Sequence, residues 1–154
     1  MPEKPDQRSP VRASPAQGYA GDVSVDEAWR LLAEDPKAAL VDVRTMAEWM
    51  YVGTPDLASI AKRPLFIEWQ TFPDRTLNPE FLGKLAQAVP DKEATVLFLC
   101  RSGARSAAAA AMATAKGYGR SYNIADGFEG DPDRERHRGA VGGWKAKGLP
   151  WVQS

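Results

Sequence analysis

One cysteine occurs in the 154 residues, Cys100, and it stands in the run Cys100-Arg101-Ser102-Gly103-Ala104-Arg105-Ser106. Each neighbour bears on a thiol. Gly103 permits a tight turn. Successive backbone N–H groups in such a turn can converge into an anion-binding nest. A helix that starts there adds the positive end of its dipole. Arg101 and Arg105 bring two full charges, and Ser102 and Ser106 bring hydroxyl donors. All of these favour a thiolate over a thiol. A buried cysteine that serves only packing needs none of them. The expected chemistry is a nucleophilic sulfur on the floor of a cradle that fits a small anion.

The flanking elements are those that would position such a cradle. Thr95-Val96-Leu97-Phe98-Leu99 is an unbroken apolar run and predicts a buried strand that ends at Cys100. Six alanines in the seven residues Ala107 to Ala113 predict a helix to about Lys116, with Gly117 as its C-cap. Upstream, Ser24-Val25-Asp26-Glu27 has the form of a capping box and opens a helix over 25–34. Residues 38–43 and 64–67 read as short strands, 45–51 and 79–89 as helices, and 121–125 as a last strand. Gly53-Thr54-Pro55 and Asp126-Gly127 turn the chain. Trp144 to Lys147 forms a short helix before Gly148-Leu149-Pro150. Strands that alternate with helices predict an α/β domain with a mostly parallel sheet. In such sheets ligands bind beyond the C-terminal strand ends, where Cys100 falls.

Composition narrows the function classes. Lys plus Arg and Asp plus Glu are both 20, so no global field draws nucleic acid or an anionic membrane. The longest strictly apolar run, Ala107 to Ala113, is too short to cross a bilayer. The first fifteen residues hold four prolines and no apolar core, which predicts no signal peptide and a disordered tail over 1–18. A single domain is expected over 19–154. One cysteine excludes an internal disulfide, and with one histidine, His137, it falls short of a usual zinc ligand set. The expectation is a reduced, cytoplasmic protein with no metal.

The segment LFLCRSGARSAAAAAMATAKGY resembles the active-site loop of the rhodanese-like sulfurtransferases, in particular their small single-domain bacterial members. Three further stretches agree in order. Val41-Asp42-Val43-Arg44 with Glu48, Trp49 and Gly53 is similar to the family's Asp-x-Arg…Glu…Gly segment. Residues 123–130, NIADGFEG, are similar to the strand and turn after the active-site helix, and Trp144 with Gly148-Leu149-Pro150 to the closing segment. The resemblance covers about residues 19–151. It departs at Thr54-Pro55 where many members have His-Ile, at Asp126-Gly127-Phe128 where many have Gly-Gly-Phe, and in the charged stretch 131–138.

The resemblance implies a rhodanese-like α/β fold, a central mostly parallel sheet with helices on both faces. It implies that Cys100 takes a sulfane sulfur from a small anionic donor such as thiosulfate, and that the persulfide passes it to cyanide, a small thiol or a protein thiol. Arg101, Ser102, Gly103, Ala104, Arg105 and Ser106 would hold the donor and the persulfide, with no cofactor. Ser106 could instead cap the helix. Asp42 and Arg44 are expected to pair and brace the loop, with Arg44 as a second substrate cation the alternative. Trp49, Trp69 and Phe128 are expected in the core rather than in the pocket wall, and His137 at the surface. A monomer or homodimer is expected.

Two rivals stand beside this reading. A cysteine-dependent phosphatase or arsenate reductase shares the cradle, but its arginine follows six positions after the cysteine, where this chain has Ser106. A non-catalytic sulfur carrier or interaction module would keep the thiol for a partner protein.

Overall fold

The computed structural model describes residues 10–153 except 72, 73 and 75. The hydrophobic strands pair side by side in the order β1-β6-β5-β2-β4, where β1 is Gly21–Val23, β2 Ala39–Asp42, β4 Leu65–Phe66, β5 Val96–Leu99 and β6 Ser121–Ile124. All four pairings are parallel. Strands buried on both faces need no polar alternation, and β5 is buried at every residue. Val96 and Phe98 point to one layer, with Phe81, Leu85, Ala109 and Ala113. Leu97 and Leu99 point to the other, with Ala28, Leu32, Phe128 and Trp144. Helices α3 (Phe81–Ala88) and α4 (Ala104–Ala115) therefore cover one face. Helices α1 (Val25–Glu34) and α5 (Gly143–Ala146) cover the other.

Local signals explain most boundaries. Ser24 accepts the Glu27 N–H and starts α1 at the expected residue. Thr45 and Glu48 close a reciprocal capping box at the start of α2 (Met46–Tyr51). Helix α3 begins two residues later than Pro79 suggests, because the Asn78 side chain accepts the Glu80 N–H in a turn before the helix. Thr54–Pro55, expected as a turn, is the short strand β3 and pairs antiparallel with β7 (Trp151–Val152). The stretch 131–138 is a loop whose turn is held by Asp133, which accepts the N–H groups of Glu135 and His137.

The expected tail over 1–18 falls partly within the described residues. Residues 1–9 lie outside the described residues, but 10–18 run along the domain. Ser14 and Asp22 exchange backbone hydrogen bonds at 2.8 and 2.9 Å, Val11 packs on the core, and Arg12 N–H donates to Glu27. A polar segment gains order where a sheet edge and a buried carboxylate offer it partners. No helix among the described residues is long and apolar enough to cross a membrane.

Candidate active site

Strand β5 delivers Cys100 to the C-terminal edge of the sheet, and the chain turns there into α4. The turn depends on two glycines. Gly103 caps α4 with φ 107°, and a Cβ there would strike the Ala125 carbonyl. Gly127 has φ 69°, and a Cβ there would strike the Arg101 carbonyl. This contact lets residues 128–130 clasp the loop from behind. Phe128 N–H donates to the Cys100 carbonyl at 2.8 Å, and Glu129 and Gly130 donate to the Arg101 carbonyl at 3.0 and 3.2 Å. With the carbonyls tied back, the N–H side of the loop is left for the cleft.

Cys100 is 1% exposed. Its Sγ accepts the Gly103 N–H at 3.1 Å and lies 3.2 Å from Ser106 Oγ. The first-turn N–H groups of Ala104, Arg105 and Ser106 have no acceptor within the helix and carry the positive end of its dipole. Above the sulfur opens a cleft of about 510 Å³. Cys100, Arg101, Ser102, Ala104 and Arg105 line one side of it, and Thr45, Ala47, Glu48, Gln70 and Thr71 the other.

The two loop arginines differ. Arg101 is exposed, and among the described residues its guanidinium has no partner. Arg105 is held by Glu48 of α2 in a forked pair, at 2.6 and 2.9 Å. Burial would raise the Glu48 carboxyl, but the Arg105 guanidinium, together with the Thr45 N–H, outweighs it and holds that carboxyl below its ordinary value. Burial pulls Arg105 down, and the same pair more than restores it.

Asp42 and Arg44 form the expected pair, at 2.7 Å with both side chains fully buried. Arg44 also donates to the Gly53 carbonyl at 2.8 Å and lies over the Phe128 ring at 4.2 Å. It therefore ties β2 to the Gly53 turn and to the clasp behind the loop. Arg44 has no exposed surface and is not among the residues that line the cleft, a position that fits the bracing role. Ser106 is not the cap, since Gly103 holds that position; it sits buried one turn above the thiol. Trp69 and Phe128 are core residues, Trp49 packs edge-on against Phe66, and none of the three lines the cleft. His137 is exposed and lies outside the cleft.

Residue types alone missed the far wall and the floor beneath Ser106. Glu48 stands in the sequence as the Glu of the Asp-x-Arg…Glu…Gly resemblance and as the end of a Thr-x-x-Glu helix start, and neither signal places it opposite Arg105. Asn123 accepts from Ser106 Oγ, and its own Nδ2 donates to Asp22 at 2.9 Å. A polar residue inside an apolar strand was its one trace.

The sequence model of the STR4 middle domain matches residues 20–154. A crystal structure of Rv0390 from M. tuberculosis superposes with a TM-score of 0.81 at 49% identity, over 88% of this chain and 99% of that one. A protein of Allochromatium vinosum named sulfurtransferase is 31% identical over 121 residues, 79% of this chain and 84% of that protein. The chain belongs to the rhodanese-like sulfurtransferase family. A chloroplast protein of Oryza sativa named THYLAKOID RHODANESE-LIKE is 33% identical over 133 residues, which are 86% of this chain and 25% of that protein. In this rhodanese-like chain the loop matched on sequence is the one that stands on the cleft floor.

Proposed function

We propose that this protein transfers a sulfane sulfur through a persulfide on Cys100. One observation carries the reading: the sole cysteine lies at the N-terminal end of α4, where its sulfur accepts the Gly103 N–H at 3.1 Å. In the first half-reaction the Cys100 thiolate attacks the outer sulfur of an anionic donor. An S–S bond forms to Cys100, the donor's S–S bond breaks, and sulfite leaves with the electron pair when the donor is thiosulfate. In the second, a thiolate or cyanide attacks the terminal sulfur, and Cys100 leaves as thiolate. No redox partner or cofactor enters this balance.

The residues divide the work. Arg101 meets the donor's anionic end, and the first-turn N–H groups of α4 stabilise the charge that develops on sulfur. Ser102 and Ala104 shape the wall. With no second cysteine in the chain, the acceptor must come from outside, as a small thiol, cyanide or a protein thiol. Phosphate-ester hydrolysis fits less well, because it needs the arginine fork that Glu48 already occupies.

The test is intact-protein mass spectrometry with thiosulfate, beside Cys100→Ser. A gain of one sulfur in the wild type alone, reversed by cyanide, is expected. No gain with thiosulfate, 3-mercaptopyruvate or a low-molecular-weight persulfide would overturn the reading.

A further inference from the structure

Ser106 has one hydroxyl proton and three acceptors in reach. Its Oγ lies 3.2 Å from Cys100 Sγ and 3.2 Å from the Gly103 carbonyl, and it is nearest to Asn123 Oδ1. The far side of Asn123 decides which acceptor is served. Asn123 Nδ2 donates to Asp22 Oδ1 at 2.9 Å, and the Tyr19 hydroxyl donates to the same oxygen at 2.8 Å. An ionised carboxylate can only accept. Asp22 therefore sets the amide with its nitrogen toward β1 and its oxygen toward Ser106. Facing that oxygen, Ser106 gives its proton to Asn123 and turns a lone pair to the sulfur. This arrangement suits a thiol, whose S–H donates to Ser106. A thiolate requires the reverse: the hydroxyl proton must swing to sulfur and leave the buried Asn123 oxygen without a donor, which carries a cost.

We propose that Asn123, oriented by Asp22, is a positioning residue that competes with Cys100 for the Ser106 proton and so tempers the reactivity of the resting thiol. When Cys100 ionises, its proton passes to a base in solvent. The Ser106 O–H rotates from Asn123 to Sγ, and no bond between heavy atoms changes. Other charged groups surround the sulfur: Arg101 and Arg105 on the loop and α4, Glu48 on α2, the Asp42–Arg44 pair at the end of β2, and Asp22 with Tyr19 on the β1 side. Asn123→Ala leaves the charge of each of these groups in place but takes one donor from Asp22, so the Ser106→Ala background is needed to isolate the competition.

The experiment measures the rate of Cys100 alkylation by iodoacetamide from about pH 5.5 to about 9.5, where only thiolate reacts. The chain has one cysteine, so labelling reports this thiol alone. Asn123→Ala should react about three- to tenfold faster near pH 6.5, with the high-pH plateau unchanged. Asp22→Asn, on a partly exposed residue, keeps the test alive if the first variant folds poorly. It lets the amide turn over and should act in the same direction. In a Ser106→Ala background the acceleration from Asn123→Ala should vanish, and that from Asp22→Asn should shrink to what loss of the carboxylate charge alone gives. An Asn123→Ala acceleration that persists without Ser106, that raises the plateau equally, or that is absent in the single variant would overturn the proposal, as would an Asp22→Asn acceleration undiminished without Ser106. The readout needs no sulfur donor, so its failure is separate from a failure of sulfur transfer.

Discussion

Arg105 gives both arms of its guanidinium to Glu48, and this pair spans the cleft between α4 and α2 above Cys100. It does two things together. It joins the helix that carries the cradle to the helix that forms the opposite wall. It also withdraws one of the loop's two cations, so that Arg101 is left as the free charge at the mouth.

The pair should show itself in the pH dependence of stability. Glu48 is held below the ordinary carboxylate value in the folded chain. A group depressed on folding contributes stability that is present above its unfolded value and is lost as the pH falls through its folded one. Glu48→Gln should therefore be less stable than wild type by about 1 kcal/mol at neutral pH, where both partners are about one-fifth exposed. The difference should shrink as the pH falls below the ordinary glutamate range. Urea unfolding of both proteins at neutral and at acid pH measures this, and a pH-independent difference would assign the loss to the helix cap instead.

Arg101 should act on the donor and not on the fold. Arg101→Ala removes an exposed cation with no partner among the described residues, so stability should change by no more than about 0.5 kcal/mol. The kcat/KM for thiosulfate should fall about tenfold, and the remaining activity should respond less to added salt. Steady-state rates at two ionic strengths decide the matter. Equal salt sensitivity in both proteins would place the donor's charge elsewhere.

A pair of glycine variants separates the cradle from ordinary helix propensity. Gly103 has φ 107° and no room for a Cβ, because the Ala125 carbonyl is in the way. Gly103→Ala should cost about 1–3 kcal/mol and abolish persulfide formation, since the N–H that meets Sγ would shift. Gly83 lies inside α3 with nothing within 4 Å of its would-be Cβ. Gly83→Ala should stabilise the chain by about 0.5–1 kcal/mol and leave activity alone. Thermal unfolding and the sulfur mass gain report both, and an active Gly103→Ala protein would deny the turn its stated role.

Much of the architecture was legible before any coordinates. The apolar run at 95–99, the alanine helix after it and the helix start at Ser24 (where Ser24 caps Glu27 N–H but the Glu27 carboxylate turns to Arg30 and Arg12 instead of closing the box) each follow short-range rules of burial, propensity and hydrogen bonding. So the strand, the helix and the loop between them could be read from neighbours in the chain. The sequence alone therefore determined that a lone thiol would lie between a buried strand and a helix N-terminus, among arginines and serines. What meets that thiol from other elements was not legible. Glu48 is 57 positions from Arg105, and Asp22 is 101 positions from Asn123. Such pairs depend on the order in which the strands lie side by side and on which face each helix covers. That order sets Arg101 free while Arg105 is held, buries Arg44, and gives Asn123 a claim on the Ser106 proton. Residue type tells what a side chain can donate or accept; only tertiary packing decides which partner stands within 3 Å of it.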